Sequence, residues 1–144
     1  MSQKRTRVLC VDDSVDLTRA TGKLINTQAD LENAGALHSA DGLLEEVKRR
    51  RPDVVLMDLT MPGPPPIEAV AQLARQAPWC RVVVYSGHSD EELIDSAFRA
   101  GARAFTSKGK DPLEVLEVIR RVAAEPVNAA PGASGDRSSG GGAL

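Results

Sequence analysis

A doubly wound α/β fold built on a parallel sheet is what this 144-residue chain predicts, and three observations carry the reading. Four short apolar runs, Val8 to Val11, Val54 to Met57, Val82 to Tyr85 and a weaker Ala102 to Thr106, are continuous rather than alternating, as in strands covered on both faces. Between them the apolar spacing switches to three and four, the period of helices that bury one side against a sheet. A polar residue stands directly after each run, where an open parallel sheet gathers its ligands.

The elements follow in chain order. After the first strand, Asp12, Asp13 or Ser14 can cap a helix whose apolar spacing runs through Leu17, Ala20, Thr21 and Leu24. A fifth strand near Asn33 to His38 is weak, because Gly35 and a lone Leu37 suit only an edge. The next helix shows Leu43, Leu44 and Val47 and ends in Lys48 to Arg51 and Pro52; cations in a last turn meet the negative end of the helix dipole, so no anion site is assigned there. The third helix is expected to bury Ile67, Val70, Ala71 and Ala74. Ser89 with Glu92 forms a capping box for the fourth, with Gly101 as its stop. Asp111, Pro112 and Glu114 open the fifth, whose buried stripe is Val115, Val118, Ile119 and Val122. Trp79, a lone aromatic before a strand, reads as partial core.

Composition narrows the function classes. Hydrophobic residues at 42% and charged residues at 26% describe an ordinary globular domain, and a net charge of -2 provides no positive field to hold nucleic acid non-specifically. Cys10 and Cys80 lie in apolar runs and read as free buried thiols, which fits a reducing compartment. The four-residue run after Arg7 is too short for a signal peptide or membrane span, so the cytoplasm is the expected address. From Glu125 onward ten of twenty residues are Gly, Pro or Ser, so the expected organisation is a domain over 1–124 and a flexible tail over 125–144, either a natural end or a severed linker.

The polar residues after the strands are Asp12 and Asp13, then Asp58, Ser86 and Lys108. Each alone has a structural explanation as a cap or turn former. Together, three carboxylates about 5 Å apart would repel by roughly 3 kcal/mol per pair at an effective dielectric near 20. A hard divalent cation removes that cost, and an oxygen-only ligand set suits magnesium better than zinc. With the cluster neutralised, one carboxylate can attack phosphorus while Ser86 and Lys108 meet the phosphoryl oxygens. Asp58, at the end of the expected central strand, is the candidate nucleophile; Asp12 and Asp13 are better placed for metal.

At these residues the chain closely resembles the receiver domain of two-component response regulators, a CheY-like phosphoacceptor module. The motifs are V-L-C-V-D-D-S at 8–14, V-V-L-M-D-L-T-M-P-G at 54–63, V-V-V-Y-S-G-H at 82–88 and G-A-R-A-F-T-S-K at 101–108. The resemblance implies a flavodoxin-like fold with strand order 2-1-3-4-5. It implies Mg2+ held directly by Asp13, Asp58 and the Thr60 backbone carbonyl, with Asp12 acting through water. It implies that Asp58 takes a phosphoryl group from a histidine kinase or histidine phosphotransfer protein, that Ser86 and Lys108 contact that group, and that Phe105 is the aromatic switch moving inward with Ser86. Output would pass through the fourth helix, fifth strand and fifth helix to a downstream protein or a missing effector domain, with a phosphorylation-dependent dimer among the outcomes. The local pattern is similar to LuxR/NarL-type receivers.

Some positions depart from the family pattern. Pro64, Pro65 and Pro66 replace the usual glycine before the third helix and should stiffen that loop. Gly109 follows Lys108 in place of a frequent proline, so no cis peptide is expected. Three other readings compete: a phosphorylation-independent receiver-like interaction module, a haloacid-dehalogenase-like phosphatase, and a flavodoxin-like cofactor carrier. Thr60 stands where the phosphatase needs a second acid, and the acidic loop at Asp12 disfavours a flavin phosphate.

Overall fold

The computed structural model describes residues 4–87, 90–109 and 111–126. Five strands form one parallel sheet in the order β2-β1-β3-β4-β5: β1 Thr6–Val11, β2 Leu31–Leu37, β3 Val54–Met57, β4 Arg81–Ser86 and β5 Ala104–Ser107. The helices alternate with them: α1 Val15–Asn26, α2 Leu43–Arg50, α3 Pro66–Gln76, α4 Glu91–Ala100 and α5 Pro112–Ala123. The weak second strand is indeed the edge, and its register with β1 slips between Val8 and Leu9.

Every residue of β3 is buried, because the sheet has a core on each face. One core joins Leu9, Val55 and Phe105 to Leu44, Val70 and Ile94 of α2, α3 and α4. The other joins Val8, Leu56 and Val83 to Ile25 of α1 and to Val115, Val118, Ile119 and Val122 of α5. Adjacent strand residues thus enter opposite cores, the period-two consequence of the pleat.

The buried faces of two helices are rotated from those expected. On α1 they are Thr18, Thr21, Gly22 and Ile25, with Ala20 exposed. Gly22 is chosen for space rather than apolarity, since a Cβ there would meet the Asn33 side chain of β2 at 2.5 Å. On α3 the buried set is Pro66, Ala69, Val70 and Leu73, while Ala74 is exposed and Ala71 only half-buried. Small residues are tolerated on either side of a helix, so alanine spacing misplaced the stripe.

Caps explain the helix limits. Ser14 and Asp111 accept from backbone amides of α1 and α5 as expected. For α4 the cap is Asp90, whose side chain accepts from Glu92 N and Leu93 N; the expected cap Ser89 lies outside the described residues. Gly101 ends α4 at φ 126°, and a Cβ there would stand 2.7 Å from that of Ala74. Pro66 occupies the first turn of α3, where its missing N–H costs nothing. The described residues contain no cis peptide bond.

The basic end of α2 does more than meet a dipole. Arg50 donates to Glu46 and to the Ala34 carbonyl, and the Arg50 carbonyl is itself capped by the Arg7 guanidinium at 2.9 and 3.3 Å. Arg51 leaves the helix at φ 56° and stacks on Trp79, 4.1 Å from the ring centroid. Glu125, expected to begin the tail, is held against the domain: its carbonyl accepts from Arg81 at 2.7 Å and its carboxylate from Arg103 at 3.2 Å. The rest of the expected tail, from 127, lies outside the described residues. None of the described helices is long and apolar enough to cross a membrane.

Candidate functional site

The carboxyl edge of the sheet assembles the site from four strand ends. Backbone bonds fix it: Asp12 N donates to Leu37 O, Asp58 N to Val11 O and Lys108 N to Ser86 O, each at 3.0 Å. The residues singled out in the sequence therefore come to one edge because every strand runs the same way.

Asp12, Asp13 and Asp58 each offer a carboxylate oxygen within 4.8 Å of the others. Asp12 and Asp58 are buried, at 5% and 3% exposure, whereas Asp13 is open to solvent. Asp12 Oδ1 accepts from Ser14 N at 2.9 Å, tying the acid to the start of α1. Asp58 Oδ1 accepts from both Thr60 N, at 3.1 Å, and Thr60 Oγ1, at 3.2 Å. That hydroxyl contact was not legible beforehand, although an Asp-x-Thr spacing is a known turn signal.

Lys108 crosses the cluster. Its Nζ lies 2.6 Å from Asp12 Oδ2 and 3.4 Å from Asp58 Oδ2. Burial alone would depress its pKa, but the two carboxylates outweigh that and hold it above its ordinary value. Among the described residues Asp12 Oδ2 is a buried oxygen whose close polar neighbour is Lys108 Nζ, with no well-aligned hydrogen bond to it. An acceptor left this way among three carboxylates fits a hard cation, whose demand is for oxygen charge rather than for hydrogen-bond geometry.

Ser86 closes β4 at 2% exposure, paired in register with Ser107. Phe105, one register step behind Thr106, is 1% exposed and already inside the core shared with α4. Beneath the acids a small recess is lined by Cys10, Thr18, Leu56 and Tyr85; there burial holds the Tyr85 phenol above its ordinary pKa. Cys10, at the same place, has its thiol pushed up to about 12 by burial and then by the Asp12 charge, so it is no nucleophile. His38 stands apart, its Nε2 3.2 Å from Thr18 Oγ1.

Residues 8–120 match the family described as response regulator receiver domain. The chain belongs to this family. It is a receiver domain of two-component response regulators, a signalling module. The chemotaxis protein CheY of Thermotoga maritima is 34% identical over 116 residues, covering 81% of this receiver and 96% of that protein. The nitrate/nitrite response regulator NarL of Escherichia coli is 28% identical over 123 residues, covering 85% of this chain but 57% of NarL. The chain spans only about half the length of such transcriptional regulators. The response regulator domain of Thermotoga maritima CheB superposes with a TM-score of 0.78 at 30% identity, covering 85% of this chain and all of that one. Receivers as a class work between histidine kinases and effectors and bind Mg2+ at an acidic cluster of this kind. The phosphatase and flavin-carrier readings give way to this assignment.

Proposed function

We propose that this receiver is a phosphoacceptor switch in which Asp58 takes a phosphoryl group from a histidine kinase or histidine phosphotransfer protein. The observation that carries the reading is the convergence of Asp12, Asp13, Asp58 and Lys108 at one strand edge, with the acids within 4.8 Å and Lys108 bridging two of them. The Asp58 carboxylate forms a bond to phosphorus, the P–N bond of the donor breaks, and the imidazole leaves with that electron pair. Asp13, Asp58 and the Thr60 carbonyl would hold Mg2+ directly and Asp12 through water, and the bound ion would neutralise the acids and polarise the phosphoryl oxygens.

This chain's own groups then divide the work. Thr60 orients Asp58 through two donors to Oδ1. Lys108 follows the charge from the carboxylates to the phosphoryl oxygens, and Ser86 donates to the same group. Phe105, in its inward position, records that arrangement in the core beneath α4. The phosphoryl dianion thus biases the two arrangements of the α4, β5 and α5 face, which presents the signal to a downstream protein, to an effector domain of a longer chain, or to a second copy. The folded unit extends past the expected boundary at 124 to include Glu125, held by Arg81 and Arg103, and acts in the cytoplasm without direct nucleic-acid contact.

Intact-mass measurement after incubation with acetyl phosphate tests the reading. One phosphoryl adduct is expected, dependent on Mg2+ and absent in Asp58→Asn. No adduct on folded protein, and no spectral shift with beryllofluoride, would overturn it in favour of a phosphorylation-independent interaction module.

A further inference from the structure

At the opposite end of the sheet, where β3 and β4 begin, a cavity of about 440 Å3 opens among Lys4, Arg5, Arg51, Asp53, Trp79 and Arg81. Four cations face one carboxylate there. That carboxylate is already engaged, since Asp53 Oδ2 accepts from Arg7 N at 2.9 Å and Oδ1 lies 3.9 Å from Lys4 Nζ. Among the described residues, Arg5, Arg51 and Arg81 form no ion pair with any carboxylate.

Two features separate this cavity from an ordinary basic surface. Arg81 is only 9% exposed, yet among the described residues its guanidinium meets backbone carbonyls alone, Trp79 O at 3.3 Å and Glu125 O at 2.7 Å, and its Nε finds no acceptor. Trp79 Nε1 is a second buried donor without an acceptor. A guanidinium buried against neutral groups carries a desolvation cost that the charge of a nearby anion would lower. Helix carboxyl ends would oppose an anion, but the last carbonyl of α2 is already covered by Arg7. Arg51, turned away from α2 onto Trp79, fixes one cationic wall.

We propose that this cavity binds a small polyanion bearing phosphate or carboxylate groups, at a site separate from the phosphoacceptor end. Its volume lies within the roughly 300–1,000 Å3 of small-molecule sites and calls for more than one anionic group to match the cations. Arg5 and Arg51, both exposed at the rim, supply planar donors suited to phosphate or carboxylate forks, and Arg81 adds charge from beneath.

Trp79 is the chain's single tryptophan, so its fluorescence reports the site directly. The experiment titrates the full chain in metal-free buffer with pyrophosphate and, separately, citrate, against sodium chloride at matched ionic strength, with calorimetry as second readout. The expected result is saturable binding of at least one polyanion, with no saturation by chloride; the arm that binds more tightly identifies phosphate or carboxylate chemistry. Arg5→Ala with Arg51→Ala should weaken it by about tenfold or more, the loss of charge-assisted contacts, and this is read by calorimetry because Arg51 itself affects the indole. Both positions are at the surface rim, and an unchanged melting temperature verifies the fold. Lys108→Gln should bind as the parent does. Absence of saturable binding, equal affinity in the double variant, or loss of binding in Lys108→Gln would each overturn the proposal.

Discussion

The two ends of the sheet carry opposite charge. At the carboxyl edge stand Asp12, Asp13, Asp58, Asp90 and Asp111; at the amino edge stand Arg7, Arg50, Arg51, Arg81 and Arg103. In a parallel α/β fold the carboxyl edge faces helix amino termini and the amino edge faces helix carboxyl termini, so each sign lies where the helix dipoles favour it. The difference lies in how the charges are compensated. The acids at the first end share Lys108 and leave one buried oxygen without a well-aligned hydrogen bond. At the second end Glu32, Glu125 and backbone carbonyls absorb much of the charge, while among the described residues Arg51 and Arg81 find only an indole and carbonyl groups. Charge that the fold does not neutralise is the trace of a ligand, at the acidic end and, by the same reasoning, at the basic one.

The largest effect expected is at the acidic end. Asp58→Asn should abolish acetyl-phosphate labelling, read by intact mass; full labelling would detach the acidic edge from phosphoryl chemistry and break the comparison. Asp13→Ala should weaken Mg2+ binding by about tenfold or more, as a magnesium titration followed by NMR would show, because it deletes the one exposed carboxylate of the cluster. An unchanged titration would remove Asp13 from the metal site.

At the basic end, Glu125→Ala should destabilise the domain by about 2 to 3 kcal/mol in urea unfolding, since the Arg103 and Glu125 side chains are only 8% and 13% exposed. Truncation after Ala124 should cost at least as much, and truncation after Pro126 much less. Equal stability of all three would return the domain boundary to 124.

The smallest effect sharpens what lies between the two ends. Burial first, with smaller effects from Asp12 on Cys10 and from Asp53 on Cys80, pushes both thiols from 9.0 up to about 12. Native protein at pH 8 should therefore resist alkylation until it unfolds. The folded state keeps its thiol protons where the unfolded chain releases them, so this contribution to stability declines as pH rises above 9.0. Rapid labelling of folded protein would contradict the burial of β1 and of the segment before β4.

Most of the acidic site was legible because it is written as residues that end strands. Once the strands are parallel, Asp12, Asp58, Ser86 and Lys108 have no other place to go. The basic cavity was not legible. Lys48 to Arg51 reads as a helix end, and nothing local announces that Arg51 adopts φ 56° and turns onto Trp79. Nor does composition show that Glu125, at the head of a Gly, Pro and Ser-rich stretch, is captured by arginines from β4 and the start of β5. The buried face of α1 was misplaced for a related reason: Gly22 is inside because of its close approach to Asn33, not because of its own hydrophobicity.

By itself the sequence determined the alternation of strands and helices, the family, and the set of acids, serine and lysine that follows the strands. These depend on short-range patterns: continuous apolar runs, helical spacing and caps. Only the tertiary structure decided that Asp12 and Asp58 are buried while Asp13 is exposed, that Thr60 holds Asp58 through its hydroxyl, and that Arg81 is buried against backbone carbonyls. Burial and pairing depend on residues tens of positions away, brought together by crossover connections whose endpoints no local pattern encodes.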